Sequence, residues 1–318
     1  MTSHSPLSVH VGDVRAAQSR IYPTCLRTPV LPIDNEEGDT WLKLESLQRT
    51  GSFKLRGATN AVARLSDDQR AAGVVTYSSG NHGQALACAA SRARVPATIV
   101  IPDNAPKFKI DATRRWGAHV VLVPVAERVS ACDAIASATG ATIVRPFDDV
   151  EIIAGQGTIG LELLDQLPAL TTVFAPIGGG GLISGIATAI KGSRPKVSVI
   201  GVEPELAADV AASVAAGYPV EWPVARTGRT IADGVRTSRV GELTWPIIKR
   251  LVDDVITVSE DEIVDTMRLL AERGHVICEP SGAVAPAAAL RLATSKSVVA
   301  AVVSGGNIAT TDFSALIG

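Results

Sequence analysis

Four short stretches carry residue types that can do chemistry. The first is Gly51-Ser52-Phe53-Lys54-Leu55-Arg56-Gly57-Ala58. A lysine amine attacks aldehydes and, with a lowered pKa, serves as a base. Taken alone, Lys54 reads as a snorkelling surface residue; the other three stretches change that balance. Gly178-Gly179-Gly180-Gly181 lies between the strand-like Thr172–Pro176 and a helical run opening at Leu182. Such glycines let backbone N–H groups approach an anion, and a helix N-terminus adds partial positive charge. No Lys-Ser/Thr follows as in a P-loop, and the dinucleotide arrangement is missing, although Glu203 falls loosely in range of its acidic partner. A tight packing turn is the competing reading, but four consecutive glycines exceed what packing needs. In Ser78-Ser79-Gly80-Asn81-His82-Gly83, two hydroxyls, N–H groups and an amide suit a carboxylate or a ring oxygen. A plain helix cap competes there, and His82 alone reads as structural. Ser304-Gly305-Gly306-Asn307 is the fourth stretch.

The elements around these stretches place them at comparable positions. Strand-like runs at 74–77, 97–101, 119–123 and 142–144 alternate with helical runs at 83–93, 105–116 and 127–138. After a break at 146–157, read as a lobe crossover, come a helix at 159–166 and strands at 172–176, 197–202 and 297–303. Further helices are expected over 8–20, 56–65, 182–190, 205–217, 243–251, 260–273 and 281–293, with a short strand at 41–45. This alternation predicts an α/β fold of parallel sheets covered by helices. Ligands bind at the C-terminal ends of such strands, where the three turns fall and near which Lys54 lies. One lysine, an anion cradle, a carboxylate cradle and a hydroxyl fit a phosphorylated aldehyde cofactor that binds an amino acid. Pyridoxal 5'-phosphate answers that description.

Composition narrows the class. The chain has 318 residues, 46% hydrophobic and 19% charged, with net charge −2. Nucleic acid and membrane surfaces are therefore not expected partners. No run is long and apolar enough to span a bilayer, and Met1–Pro6 shows no signal-peptide pattern. The four scattered cysteines form no C-x-x-C pair, so reduced thiols in a cytoplasmic protein are expected, with Cys88 and Cys278 as core fillers.

Six motifs in order carry a family resemblance: Ser52–Ala58, Ser79–Gln84, Ala154–Thr158, Gly178–Gly181, Ala232–Val235 and Ser304–Asn307. The chain resembles the pyridoxal-phosphate enzymes of the tryptophan-synthase-β type (fold type II), within them the serine/threonine dehydratases and serine racemases. The resemblance implies two lobes of open, twisted, mostly parallel sheets: residues 1–68 with 150–318 as the large cofactor lobe, 69–149 as the small substrate-gripping lobe. It implies that Lys54 holds the cofactor as a Schiff base and moves the α-proton, with Phe53 beside the ring and Asn81 on the ring oxygen. Gly178, Gly179, Gly180, Gly181 and Leu182 would hold the phosphate, and Ser304 would face the ring nitrogen. Ser78, Ser79, Gly80, Asn81 and His82 would grip the substrate carboxylate, with Gly234 on the substrate side. Glu203, the Ala207 carbonyl and Asp209 would bind Mg²⁺ or Ca²⁺, since all-oxygen ligands suit such ions; a solvated acidic helix start is the competing reading. A homodimer is expected.

A hydroxyl rather than a carboxylate at the ring nitrogen makes a weaker electron sink, so expelling a β-hydroxyl competes well with reprotonation. The expected activity is dehydration of L-serine or L-threonine to a 2-oxo acid and ammonia. Ser79 stands where racemases carry a second proton-exchanging group, so serine racemization with side elimination is the nearest alternative. Dehydration of 3-hydroxyaspartate is a third; its extra carboxylate needs a cation, and no sequence position decides which. A non-enzymatic amino-acid-binding module is the fourth. Phe147 stands where some racemases carry asparagine, which weakens expectations of the same effector. The absence of a sensing domain after Gly318 is expected of a catabolic or racemase-type role.

Overall fold

The structure, a computed structural model, describes residues 7–33, 40–294 and 297–318; Met1–Pro6, read above for a targeting signal, lies outside them. The described strands are β1 (Val30–Ile33), β2 (Thr40–Leu44), β3 (Val74–Tyr77), β4 (Ala97–Pro102), β5 (His119–Val123), β6 (Thr142–Ile143), β7 (Thr172–Pro176), β8 (Ser198–Pro204), β9 (Asp254–Val258) and β10 (Val299–Val303). They form a six-stranded sheet, β1-β2-β10-β7-β8-β9, and a four-stranded sheet, β5-β4-β3-β6. Every pairing is parallel except β1 with β2. The fold is α/β with two mostly parallel sheets, as expected. Strand β10, Val-Ala-Ala-Val-Val, is buried at all five positions, the signature of a strand covered on both faces.

Register places the functional loops together. Val303 pairs with Leu44, and Pro176 pairs with Val202. The chain therefore leaves β2, β10, β7 and β8 at one edge of the large sheet. The Glu45–Phe53 segment, Ser304, the glycine run and the Glu203 turn all start from that edge. Helix Lys54–Ala63 then crosses to the smaller sheet, packing Leu55, Ala58 and Val62 against Val74, Leu86 and Ile99.

Several elements differ from expectation. The break at 146–157 is confined to 145–149, and one helix runs Val150–Gln166, its first N–H groups capped by the Asp149 carboxylate. Gly155 and Gly157 are therefore mid-helix, where they permit close packing rather than a turn. A methyl group on Gly155 would lie 2.6 Å from the Gly57 Cα, and one on Gly157 would lie 2.7 Å from the Gly185 carbonyl oxygen. Helices Lys54–Ala63, Val150–Gln166 and Gly181–Ser193 thus touch backbone to backbone. The helix expected at 105–116 spans only Lys107–Arg114, with Pro106 as its cap. Strands β1 and β9 and helix Thr310–Ile317 were not legible. Pro32 in β1 is tolerated because that strand is an edge. Cys88 and Cys278 are fully buried, and burial pushes their thiols up to about 11 and about 12. Among the described residues no helix is long and apolar enough to cross a membrane.

Candidate active site

Lys54 is positioned by a loop zipped to the end of β10. Phe53 N–H donates to Ser304 O at 3.1 Å, Gly306 N–H donates to Gly51 O at 2.9 Å, and Ser52 bridges Gly305. The helix starts at Lys54 itself. Below it, Arg56 is fully buried and ion-paired to Glu45 at 2.8 Å and Glu162 at 2.7 Å. Lys43, equally buried, holds the other Glu162 oxygen at 2.6 Å. These two carboxylates and two cations satisfy one another, as buried charges must. Lys54 has no such partner among the described residues. Its Nζ donates to the Pro146 carbonyl at 2.8 Å and lies 5.1 Å from the Phe53 ring centre. Burial without a counter-charge lowers its pKa to about 8.

The amine opens onto a cavity of about 320 Å³ shared by both sheets' loops. Ser78, Ser79, Gly80, Asn81 and His82 line it from the β3 end, and the glycine run with Leu182 lines it from the β7 end. Phe53, Gly234 and Ser304 also face it, so every residue expected to touch cofactor or substrate borders one cavity. Gly234 N–H donates to Ser281 Oγ at 2.8 Å. The Ser304 hydroxyl donates to Ser281 O at 3.1 Å, so it must turn to donate elsewhere. The His82 ring is buried on Val144 O at 3.0 Å, and burial with the nearby Lys54 charge pushes its pKa down to about 3. It is neutral and offers no cation to a carboxylate.

The glycine run has a fuller packing role than its sequence suggests. A methyl group on Gly178 would lie 3.0 Å from the Val235 Cα, and one on Gly181 would lie 3.0 Å from the Phe147 Cα. The Phe147 ring sits directly against Gly179, and Gly180 has φ +90 with Ile248 close by. Packing accounts for all four glycines, so their number no longer argues for phosphate. What argues for it is position: the run ends at the N-terminus of helix Gly181–Ser193, whose first N–H groups have no intrahelical acceptors.

A profile described as "Pyridoxal-phosphate dependent enzyme" matches residues 21–305. The chain belongs to the pyridoxal-phosphate dependent enzyme family. Among its relatives are a rice (Oryza sativa subsp. indica) serine racemase, 43% identical over 94% of this chain and 91% of that protein, and a Saccharomyces cerevisiae L-threo-3-hydroxyaspartate ammonia-lyase, 41% identical over 96% and 95%. The structure of the processed form of threonine deaminase isoform 2 from Solanum lycopersicum superposes with a TM-score of 0.90 at 35% identity, covering 96% of this chain and 91% of that one. These relatives are lyases and racemases of amino acids, and this chain is a pyridoxal-phosphate dependent enzyme.

Several residues facing the cavity of this pyridoxal-phosphate enzyme were missed. Glu279 caps helix Pro280–Leu292, and its carboxylate accepts from Asn81 Nδ2 at 2.6 Å. Burial, then the Asp233 charge, push its pKa up to about 8 against the pull of Asn81 and Lys109. A carboxylate in the apolar run Val276-Ile277-Cys278-Glu279-Pro280 was the available signal. Lys109 bridges to Asp233 at 2.7 Å across the cavity mouth. Arg128 and Arg236 also line the cavity, and neither guanidinium has a partner among the described residues; no local motif marked either one in the sequence. Away from the cavity, the Glu203 carboxylate accepts N–H bonds from Val210 at 3.0 Å and Ala211 at 2.7 Å. Burial, then the Asp209 charge, hold its pKa well above the usual carboxylate range. Both Asp209 oxygens are buried without a hydrogen-bond partner, and burial raises that carboxyl to about 7.

Proposed function

We propose that the protein dehydrates a small hydroxy amino acid, L-serine or L-threonine first, to a 2-oxo acid and ammonia. The observation that carries this reading is the unpaired Lys54 amine in a cavity that also holds a helix N-terminus and a hydroxyl-rich turn. These residues fit pyridoxal phosphate: Lys54 for its aldehyde, Gly178–Gly181 and Leu182 for its phosphate, Asn81 for its ring oxygen, Ser304 for its ring nitrogen and Phe53 beside the ring. When bound, the cofactor withdraws electrons from the substrate's Cα and so makes the Cα proton removable. Lys54 then takes that proton, and its lowered pKa keeps more of the amine neutral than in an ordinary lysine. The N–H groups and hydroxyls of Ser78–His82, with Gly234 opposite, bind and orient the substrate carboxylate.

Two alternatives each have an observation in their favour. The Ser79 hydroxyl borders the cavity and is tied to no side chain or backbone group among the described residues, which supports proton exchange there and hence racemization. The unpartnered Arg128 and Arg236 would receive the second carboxylate of 3-hydroxyaspartate. A panel of L-Ser, D-Ser, L-Thr and both 3-hydroxyaspartates, read for oxo acid and for chirality, separates the three. Absence of oxo acid from every substrate, despite bound cofactor, rejects the lyase reading. Racemization retained in Ser79→Ala rejects the second base.

We also assign residues 1–68 with 150–318 to a cofactor lobe and 69–149 to a substrate lobe, supported by the division of strands between two sheets. Glu203, the Ala207 carbonyl and Asp209 fit a hard divalent cation such as Mg²⁺ or Ca²⁺. The support is the orphaned, buried Asp209 carboxylate and the second acid beside it. The exposed apolar side chains of Leu47 and Ile277 are consistent with a homodimer, which light scattering tests.

A further inference from the structure

A backbone carbonyl can only accept hydrogen bonds and cannot turn end for end. Thr50 O is such a fixed acceptor, and Asn307 Nδ2 donates to it at 2.7 Å. The same Nδ2 gives its other hydrogen to Asn81 Oδ1 at 2.6 Å. The Asn81 amide is thereby held with its oxygen toward Asn307 and its nitrogen toward Glu279 Oε1, 2.6 Å away. An amide has two N–H hydrogens. Both of Asn307's are engaged, and one of Asn81's is. The remaining Asn81 N–H has no partner among the described residues, and Asn81 borders the same cavity as Lys54. Amide orientation is normally an assignment from partners; here the assignment starts from a group with only one possible role.

We propose that Thr50, Asn307 and Glu279 form a polarity chain that fixes which end of the Asn81 amide meets the cofactor, leaving one N–H for the cofactor's ring oxygen. This rests on the pyridoxal-phosphate reading and makes Asn307 and Glu279 positioning residues for cofactor capture. A ring oxygen bearing negative charge needs a donor, and hydrogen bonds to charged groups are the strong ones. The reversed amide would set a lone pair against it. The chain also joins three distant segments: Thr50 lies on the loop entering Lys54, Asn307 follows Ser304, and Asn81 opens the helix Asn81–Ala93. Glu279 can accept from Asn81 whether or not it carries a proton, so its own titration does not reverse the chain.

The test is equilibrium binding of pyridoxal phosphate to the apoprotein, with the visible absorption of the lysine-bound cofactor and apoprotein melting recorded alongside. Asn307→Asp keeps the shape but cannot donate, so Asn81 must turn over to donate to it. Binding should weaken by about tenfold or more, the size of one charge-assisted hydrogen bond, with a shifted absorption; apoprotein melting should fall only by the loss of the Thr50 O bond, leaving the protein folded at the binding temperature. Asn307→Ala removes the polarity without reversing it and should cost less. A packing role gives the opposite order, because Ala leaves a hole and Asp does not. Asp weaker than Ala supports the proposal; Ala weaker than Asp, or wild-type affinity in Asn307→Asp, overturns it. Adding Glu279→Gln to Asn307→Asp removes a carboxyl, so recovered affinity would mean charge repulsion caused the loss and would overturn it, whereas a persistent loss supports it. Should Asn307→Asp not fold, Asn307→Ala decides together with apoprotein melting: weaker binding and a shifted absorption, at melting unchanged beyond the loss of the Thr50 O bond, support the chain, and wild-type affinity, or a loss of binding that accompanies melting lowered further, overturns it. Failure of the wild-type apoprotein to bind pyridoxal phosphate would sink the cofactor reading itself; wild-type binding with an unaffected Asn307→Asp sinks only the polarity chain.

Discussion

Lys54 is a half-buried cation without an anion among the described residues, and that arrangement has a measurable cost. Burial lowers its pKa from 10.5 to about 8. A gap of about 2.5 units corresponds to roughly 3 kcal/mol, an upper limit because the amine faces an open cavity. In the unfolded chain the lysine keeps its proton up to the ordinary value, while in the folded apoprotein it gives the proton up above about 8. Between these values the unfolded state binds more protons, so stability rises with pH across that window. Below it both states are protonated, and the destabilisation is fully present. Lys54→Met removes the charge, so it should be more stable than wild type near neutral pH by up to about 3 kcal/mol, and this advantage should fade toward the ordinary lysine pKa. Urea unfolding of the two apoproteins across that range measures it. A second readout is the rate of pyridoxal-phosphate capture, which needs the neutral amine. That rate should level off just above pH 8 rather than near 10.5. A stability difference that does not vary with pH, together with a capture rate still climbing at the ordinary lysine pKa, would refute the reasoning.

Three other perturbations probe the scaffold. Arg56→Met leaves Glu45 and Glu162 without their shared partner and should cost about 3–5 kcal/mol in denaturant unfolding. Gly179→Ala drives a methyl group into the Phe147 ring; it should cost about 1–3 kcal/mol, and combining it with Phe147→Ala should recover part of that loss in a double-mutant cycle. Mg²⁺ should raise the melting temperature of the wild-type apoprotein but not of Asp209→Asn, because a ligand stabilises only the state that holds its site; equal shifts in both would remove the cation from Glu203 and Asp209.

The strand-and-turn rhythm was legible because buried parallel strands are nearly continuous apolar runs, as in β10, and glycine marks their exits. Helix Val150–Gln166 was misread for the same reason: Gly155 and Gly157 look like punctuation, yet they serve packing against partners more than 25 residues away in sequence. β9 (Asp254–Val258) is a five-residue strand lodged between the helices expected over 243–251 and 260–273, too short for its alternation to stand out. At the site, Lys54, Ser79, Asn81 and Ser304 were legible because each sits in a short local motif. Glu279, Arg128 and Arg236 were not, since their meaning arises only when distant loops converge on one cavity. The buried set of Lys43, Glu45, Arg56 and Glu162 was likewise invisible, because charge alternation in sequence ordinarily denotes a wet surface.

The contacts at Gly57, Gly155, Gly157 and Gly185 have a further consequence. They place the helix that begins at Lys54, the long helix beneath it and the helix that follows the glycine run at backbone-contact distance. At these points main chain meets main chain, and the Gln156 side chain, which accepts from Gly57 N–H, fills the remaining space. The distance from Lys54 to the glycine run is therefore set largely by main-chain contact. Ser79, Arg128, Asp233 and Arg236 line the cavity outside these contacts, so they can change without disturbing the spacing of the three helices.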